Sequence, residues 1–360
     1  MENVKNVCIF GYNNFIGKRL ESEIKESYPE INIKYWQLHK PSDENGNCKS
    51  IFWGINSISG AIQDCKLVYN IVDYKDWSIK PNIEKLKFYN ETIPQTLVDE
   101  CKDVEGISIV HLSSALSQSS SVWPTLQEKE KKIEELKLDS VPFKSYVTSK
   151  VNGEKEILKY SQSIPMIIVR SPPCYGEGDT SSIVTDSIKI LKKYGYLPGM
   201  SRDNGSFEMC YVGNVVDAMI TCGETLLQGN MVGEVIIVGD DTPTKNIRES
   251  VVDQVLKDGK EEIPSSSLLL TGLPFVVFYY LFVWFIRLLG LSNFFRMLPD
   301  YNYFVMYYRN WCVFDKYKLK YVVGWKPKYS KEEAFRRSSN YYNGLFSDKD
   351  LHFSWKPHKW

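Results

Sequence analysis

Tyr146 and Lys150 are the two residues whose types and spacing most directly suggest chemistry. Residues four apart on a helix share a face, so the lysine ammonium would lie beside the phenol. A nearby positive charge favours the phenolate and lowers the pKa of the tyrosine, which can then exchange protons near neutral pH. Of the 23 tyrosines, only Tyr146 has a lysine four positions later. The spacing predicts an acid/base pair, with a surface pair of no chemical role as the alternative.

A second candidate lies at the end of the segment GISIVHLSS, which closes with Ser113 and Ser114. Open α/β sheets bind ligands at the carboxyl ends of their strands. A serine hydroxyl there can hold a substrate oxygen in line with Tyr146, whereas a turn or helix-cap serine is the alternative. No Gly-x-Ser-x-Gly elbow is present, so a serine nucleophile is not indicated.

The segment GYNNFIG has the character of a dinucleotide-binding turn between a strand and a helix. Gly11 and Gly17 bracket the turn, where glycines let the backbone approach a pyrophosphate at the helix N-terminus. Asn14 stands where the pattern Gly-x-x-Gly-x-x-Gly has its middle glycine. The next strand ends in Gln37 rather than an acidic residue, and a glutamine can bind a ribose hydroxyl without repelling a 2'-phosphate. The choice between NAD and NADP therefore stays open.

These residues need strands and helices that place them at one sheet edge. Apolar runs of strand character, KNVCIF, INIKYWQL, CKLVYNIV, GISIVHLSS and PMIIVRSPP, alternate with helical segments such as KRLESEIKES and SYVTSKVNGEKEILKYSQ. This alternation predicts an α/β fold with a doubly wound parallel sheet of Rossmann type. The charge-rich stretch QEKEKKIEELKLDS is expected to be a solvated loop or short surface helix.

Composition excludes several classes of function. The 360 residues are 43% hydrophobic and carry 44 basic and 44 acidic side chains, so no positive surface for nucleic acid is expected. The eight cysteines are dispersed, which is typical of reduced cytosolic thiols, and the four histidines are too scattered to predict a metal site. The N-terminus has no long apolar run, so no cleaved signal peptide is expected.

One segment departs from the soluble pattern. Residues 265–286, SSSLLLTGLPFVVFYYLFVWFI, contain no charged side chain and approach the length of a bilayer span. Either the segment contacts a membrane, by interfacial insertion or a span, or it forms buried helices that act as a substrate lid.

Taken together, these motifs resemble those of the extended short-chain dehydrogenases/reductases, and among them the 3β-hydroxysteroid dehydrogenase/Δ5-Δ4 isomerase family. The resemblance follows nearly the whole chain in order, through GYNNFIG, VYNIVDY, SIVHLSS, VRSPPCYGEGD, YVGNVVDA, GEVIIVGDDTP and FDKYKLKYVVGWKPKYSKEEA. It implies three regions: a cofactor-binding core with interleaved substrate segments at 1–260, an apolar membrane-associating segment at 261–296, and a C-terminal substrate or cap region at 297–360.

The resemblance also implies residue roles. Tyr146 is expected to be the acid/base, Lys150 to lower its pKa and hold the ribose, and Ser114 to position the substrate oxygen. Asn90 is similar to the family's helix-four asparagine, which supports a water in a proton relay near the lysine. The cofactor is expected to contact Gly11, Asn14, Phe15, Ile16, Gly17 and Gln37, together with Tyr146 and Lys150, and the family favours NAD.

Several positions depart from the family pattern. Besides Asn14 and Gln37, Ile55 and Asn56 stand where an adenine-contacting acid is usual, and Val72-Asp73 replaces an Ala-Ala pair beside the cofactor. A carboxylate at Asp73 near phosphates has no explanation from the sequence.

The resemblance implies NAD(P)-dependent oxidation of a sterol or steroid 3β-hydroxyl, with a Δ5 to Δ4 shift as an open addition. The alternatives are a sterol-4-carboxylate 3-dehydrogenase and a non-catalytic nucleotide- or sterol-binding protein. The implied location is a membrane, that of the endoplasmic reticulum, with the catalytic region facing the cytosol. Whether the chain forms a homodimer stays open.

Overall fold

A parallel β-sheet organises the described part of the chain. The structure, a computed structural model, describes residues 1, 4–40, 51–198, 205–256, 265–266, 273–308 and 311–344. Its strands are β1 Asn6–Phe10, β2 Asn32–Gln37, β3 Ile51–Trp53, β4 Leu67–Asn70, β5 Ser108–Ser114, β6 Thr125–Glu128, β7 Met166–Ser171, β8 Cys174–Tyr175, β9 Leu197–Pro198, β10 Ser206–Phe207, β11 Cys210–Tyr211, β12 Glu234–Ile237, β13 Ser265–Ser266 and β14 Trp311–Phe314. Its α-helices are α1 Phe15–Ser27, α2 Ile58–Ile62, α3 Ile83–Lys87, α4 Ile93–Cys101, α5 Lys144–Leu158, α6 Ile183–Tyr194, α7 Val212–Leu227, α8 Asp253–Leu256, α9 Leu273–Leu288, α10 Tyr301–Tyr308 and α11 Lys331–Gly344.

Among these residues, seven strands form the main sheet in the order β12-β7-β5-β4-β1-β2-β3. Each neighbouring pair is parallel, which confirms the predicted doubly wound Rossmann-type sheet. The strand order reverses between β1 and β4, and ligands bind beside such a reversal in open α/β sheets.

Both faces of the sheet are covered, because successive side chains of each strand enter different cores. In β1, Cys8 and Phe10 pack into one core, whereas Val7 and Ile9 pack into the other. Helix α5 covers the first face and α7 the second, as shown by their buried residues Val151 and Val215. A sheet buried on both faces requires continuous apolar strands, which is what the sequence supplies.

A buried ion pair fixes α5 to this sheet. Arg170 in β7 donates through Nε and Nη2 to the two carboxylate oxygens of Glu154 in α5, at 3.0 and 2.6 Å, and both side chains are fully buried. Its Nη1 donates to Gln118 Oε1 at 2.6 Å and to the Lys131 carbonyl at 2.8 Å. The charge-rich stretch begins at the end of β6 and continues as a largely exposed loop with one 3-10 turn, and the Lys131 carbonyl attaches it to the buried Arg170.

The C-terminal region packs back on the first helix. Glu23 of α1 is buried, pairs with Arg19 at 2.6 Å and with Lys328 at 2.6 Å, and accepts a hydrogen bond from the Tyr329 hydroxyl at 2.6 Å. Strand β14 pairs in parallel with β10 and β6. These contacts make residues 311–344 part of the same body as the sheet.

The apolar segment forms a helix that touches the body along a narrow seam. Tyr279 and Ile286 of α9 are buried, and Tyr279 donates a hydrogen bond to the Pro299 carbonyl. Most of its remaining described side chains are exposed and apolar, and the exposure continues past the helix. The exposed set comprises Val277, Phe278, Tyr280, Leu281, Phe282, Trp284, Phe285, Leu288, Leu289, Leu291, Phe294 and Met297.

Within the described residues, no helix combines the length and the hydropathy that crossing a membrane requires. Residues 267–272 of the predicted segment lie outside the described residues.

Replacing Glu154 by glutamine should destabilise the fold strongly. The change leaves the Arg170 guanidinium buried without its counter-charge, and breaking a buried pair from one side costs about 3–5 kcal/mol. Thermal and urea unfolding measure the loss. Glu156→Gln is the matched control, because Glu156 of the same helix forms an exposed pair with Lys159 and should contribute at most about 0.5 kcal/mol. Equal losses in the two variants would contradict this reading.

Candidate active site

The structure brings Tyr146, Lys150 and Ser114 together in one pocket at the carboxyl ends of the central strands. Tyr146 and Lys150 lie on the sheet-facing side of α5 with relative exposures of 5% and 2%, so the alternative of a surface pair is excluded. The pocket also reaches Phe15 and Ile16 at the start of α1. The expected acid/base group therefore adjoins the glycine turn.

The phenol of Tyr146 is held in its neutral form, contrary to the expectation from Lys150. Its hydroxyl donates to the two carboxylate oxygens of Asp73, each at 3.2 Å. Burial, followed by the negative charge of Asp73, raises the pKa of Tyr146 well above its usual value, while a hydrogen bond with Ser114 lowers it to a smaller extent. The net pKa of Tyr146 is thus raised rather than lowered, because burial and, after it, the charge of Asp73 outweigh any effect of the lysine.

The ammonium of Lys150 forms hydrogen bonds with backbone carbonyls of the protein. Its Nζ donates to the carbonyl oxygens of Val72 at 3.2 Å and Leu112 at 3.1 Å, and lies 3.5 Å from Asp73 Oδ1. The lysine thus joins the ends of β4 and β5 to α5. Its ribose-holding role stays a prediction.

Ser114 is the last residue of β5 and interacts both with the turn that follows it and with Tyr146. Its Oγ accepts a hydrogen bond from the Leu116 N–H at 3.3 Å, which caps a short 3-10 turn, and it also hydrogen-bonds with Tyr146. The cap interpretation of this serine is confirmed, and its substrate-positioning role stays a prediction. The neighbouring Ser113 hydroxyl is buried and has no hydrogen-bond partner among the described residues.

Asn90 lies in a π-helical turn, Phe88–Thr92, between α3 and α4. Its amide accepts from the Tyr74 N–H and donates to the Tyr74 carbonyl, each at 2.9 Å, and donates to Ser149 Oγ at 2.9 Å. Its expected relay role near the lysine stays a prediction. The side chain ties the segment after β4 to α5, which positions both Asp73 and Lys150.

The glycine turn has the geometry that a dinucleotide needs. Gly11 has φ of +100°, and a Cβ there would lie 2.8 Å from the Val72 nitrogen, while a Cβ at Gly17 would lie 2.6 Å from the Tyr12 carbonyl oxygen. Asn14 is extended, with φ of −98°, and caps α1: its Oδ1 accepts from the Gly17 N–H at 2.8 Å and its Nδ2 donates to the Ile71 carbonyl at 2.9 Å. The asparagine side chain is thus folded into the turn. The residues present fit a bound pyrophosphate at this helix N-terminus.

Gln37 ends β2, beside the turn. It is buried, and its neighbour Trp36 pairs with Phe10 in the adjacent strand β1, so it shares the carboxyl edge with Gly11. Ile55 and Asn56, which replace the usual acid, line a second pocket with Leu38, Trp53 and Tyr89. The second pocket lies beyond Gln37 along the same edge.

Two further residues of the pocket, Lys75 and Asp73, were not given a role from the sequence. Lys75 donates to the Ser181 carbonyl at 3.0 Å and its Nζ lies 4.7 Å from the ring centre of Trp77. Asp73 stood out only as an unexplained departure. Both follow β4, so the rule that strand ends form sites was the one signal that pointed to them.

The chain is similar to known proteins both in sequence pattern and in fold. The model of the 3-beta hydroxysteroid dehydrogenase/isomerase family matches residues 43–268, more than half of the chain. No curated protein matches the sequence significantly. Among solved structures, a UDP-glucuronic acid 4-epimerase from Bacillus cereus in complex with NAD has 16% identity, covers 95% of this chain and 99% of its own, and gives a TM-score of 0.67.

Two other structures are similar. A dTDP-glucose 4,6-dehydratase from Bacillus anthracis in complex with NAD has 17% identity, with 95% of this chain and 98% of that chain covered and a TM-score of 0.65. A UDP-galactose 4-epimerase has 13% identity, 95% and 99% coverage, and a TM-score of 0.64. At these identities the likeness establishes the fold.

His111, in β5 beneath the pocket, should make stability depend on pH. Burial and then the charge of Lys150 lower the pKa of His111 well below its usual value. Below about pH 6.5 the unfolded chain therefore binds a proton that the folded chain does not, so the free energy of unfolding falls by up to about 1.4 kcal/mol per pH unit. Urea unfolding between pH 7.5 and 5 measures this slope.

His111→Leu should flatten the slope by removing the titrating group. His39→Asn is the control, because His39 is exposed and should leave the slope unchanged. A slope that survives in His111→Leu would assign the pH dependence to other groups.

Proposed function

We propose, since the chain belongs to the 3-beta hydroxysteroid dehydrogenase/isomerase family, that it is an NAD(P)-dependent oxidoreductase acting on the 3β-hydroxyl of a sterol or steroid. The observation that carries the proposal is the buried phenol of Tyr146, placed between Ser114 and Asp73 beside the glycine turn. A non-catalytic binding protein would have no need to bury these groups together.

A dinucleotide fits the turn and would supply a hydride acceptor when bound. The N-terminus of α1 favours the pyrophosphate, Gly11 and Gly17 let it approach the backbone, and Gln37 lies at the strand end where a ribose is bound in such folds. Phe15 and Ile16 would form the wall towards the substrate, and Lys150 would hold the second ribose. NAD is favoured by the family, and the NAD complexes of the similar structures agree with it.

Proton transfer falls to residues of this chain. Ser114 would hold the substrate oxygen, and Tyr146 would exchange a proton with it. Apolar residues such as Trp77, Leu116 and Ile183 line the pocket and suit a sterol skeleton.

The alternative substrate, a sterol 4-carboxylate, is supported by Lys75, whose ammonium lines the same pocket and would pair with the carboxylate.

Replacing Tyr146 by phenylalanine should lower kcat by about 100-fold to 10,000-fold, since general acid/base catalysis contributes that much. Binding of NAD, followed by calorimetry, should stay within about twofold because only a hydroxyl is removed. Tyr160→Phe is the control, since Tyr160 bonds Asp99 outside the pocket and should leave kcat unchanged. The assay uses 3β-hydroxysterols with and without a 4-carboxylate, and more than about a tenth of wild-type kcat in Tyr146→Phe would remove Tyr146 from the reaction.

The exposed apolar side chains of α9 support a proposal about where the protein is located. We propose that this helix and the residues after it insert into one face of the endoplasmic reticulum membrane, with the catalytic region facing the cytosol. A contiguous set of large apolar side chains in water marks an interaction surface, and Tyr280 and Trp284 suit the lipid headgroup region. The seven cysteines within the described ranges are unpaired, which agrees with a cytosolic face.

The double change Leu281→Asp and Phe285→Asp should release the protein from membranes. Burying one large apolar side chain contributes about 1.5–3 kcal/mol, so losing two should weaken binding to phosphatidylcholine vesicles at least about tenfold in co-sedimentation. The control is Val122→Asp with Trp123→Asp, which alters exposed apolar residues far from α9 in sequence. A wild-type protein that stays in the supernatant, or a double variant that still pellets, would refute interfacial insertion.

A further inference from the structure

Asp73 occupies a position that the family pattern does not explain. Its carboxylate accepts the hydrogen bond of Tyr146 through both oxygens at 3.2 Å and lies 3.5 Å from Lys150 Nζ. The side chain is 33% exposed, whereas that of Lys150 is 3% exposed. The carboxylate therefore connects a buried phenol with solvent.

The backbone on either side of Asp73 is held by three side chains. Asn70 Oδ1 accepts from the Val72 N–H at 3.2 Å, and Lys150 donates to the Val72 carbonyl at 3.2 Å. Asn90 binds both the N–H and the carbonyl of Tyr74 at 2.9 Å. Both neighbours of Asp73 are thus fixed in place, so its carboxylate is directed at the phenol by the frame.

We propose that Asp73 accepts the phenolic proton of Tyr146 during alcohol oxidation and then releases it to solvent. This inference rests on the proposed function and deepens it, because it assigns the end of the proton path. It also assigns a role to the Asp73 carboxylate, which the sequence left unexplained.

The substrate O–H bond breaks and its proton bonds to Tyr146 Oη, while the phenolic proton moves to an Asp73 oxygen. A bound nicotinamide dinucleotide would accept the hydride from the carbinol carbon, so that loss of this hydride and of the hydroxyl proton together would convert the alcohol to a ketone. The usual pKa of an aspartic acid is about 6 units below that of a tyrosine, so Asp73 is too weak a base to remove the phenolic proton by itself. The two protons therefore move together rather than in sequence. The protonated Asp73 then loses its proton to water.

The other ionisable groups around the phenol do not offer the same path. Lys150 of α5 is a cation that already donates to two carbonyls. Cys174 of β8 also faces the phenol, but burial raises the pKa of its thiol to about 12. Lys75 and Asp179 line the same pocket, and Asp179 accepts from Tyr342 Oη at 2.6 Å and from Thr185 Oγ1 at 2.9 Å. Asp73 is the carboxylate that contacts Tyr146 directly.

The first test needs no turnover. Tyrosine labelled with 13C at the ζ carbon gives one NMR signal for Tyr146, assigned by its loss in Tyr146→Phe. In Asp73→Asn the negative charge is removed and Lys150 remains, so the Tyr146 signal should begin to titrate at a lower pH than in the wild type. Asp241→Asn, an exposed carboxylate, is the control and should leave it unchanged. An unmoved titration in Asp73→Asn would overturn the proposal.

The second test follows the oxidation of a 3β-hydroxysterol with NAD. Asp73→Asn should lower kcat at least about 100-fold with little change in KM, and formate or acetate should restore Asp73→Ala at least about tenfold but not Tyr146→Phe. Variants that keep more than about a tenth of wild-type kcat, or the absence of rescue, would overturn the role of Asp73. If the wild type oxidises no sterol, the proposed function fails instead, and the NMR titration still decides whether Asp73 controls Tyr146.

Discussion

The buried pair of Arg170 and Glu154 is the constraint on which the site depends. Tyr146, Lys150 and Glu154 are spaced by four along α5 and share one face, so fixing Glu154 on β7 fixes the other two over the strand ends. A buried ion pair is tolerated only when its remaining donors are satisfied, and Gln118 and the Lys131 carbonyl fulfil that condition. The same guanidinium therefore sets the register of the helix and holds the loop that follows Ser114.

The segment after β4 is the counterpart of this constraint on the other side of the pocket. It carries Asp73, and it is fixed through Asn70, Asn90 and Lys150 rather than by a regular strand. Helix and segment meet at the phenol of Tyr146. The pKa of this phenol thus depends on the positions of α5 and of the segment after β4. Each of them is held by buried polar side chains.

The sequence allowed the parallel sheet, the helix of Tyr146 and the position of Ser114 to be predicted, because each depends on local periodicity and on the rule for strand ends. It could not reveal the pairing of Arg170 with Glu154, since isolated charged residues usually indicate exposed surface and their partners are distant in sequence. The influence of Asp73 on Tyr146 was missed for a related reason. A lysine four residues away is visible in the sequence, whereas a carboxylate 73 residues away is brought in only by the fold. The strand β3, with three residues, is too short to show a period.

The burial of Glu23 among Arg19, Lys328 and Tyr329 has a consequence for how the chain is made. Synthesis runs from the N-terminus, so the first strand and helix leave the ribosome about 300 residues before the lysine and the tyrosine that complete the partners of this carboxylate. Until then Glu23 has Arg19 of its own helix as its partner, and the distal segment does not yet cover that face of α1. The packing of this face of α1 is therefore completed only after the distal segment has been translated, so the first βα unit depends on a late, long-range contact.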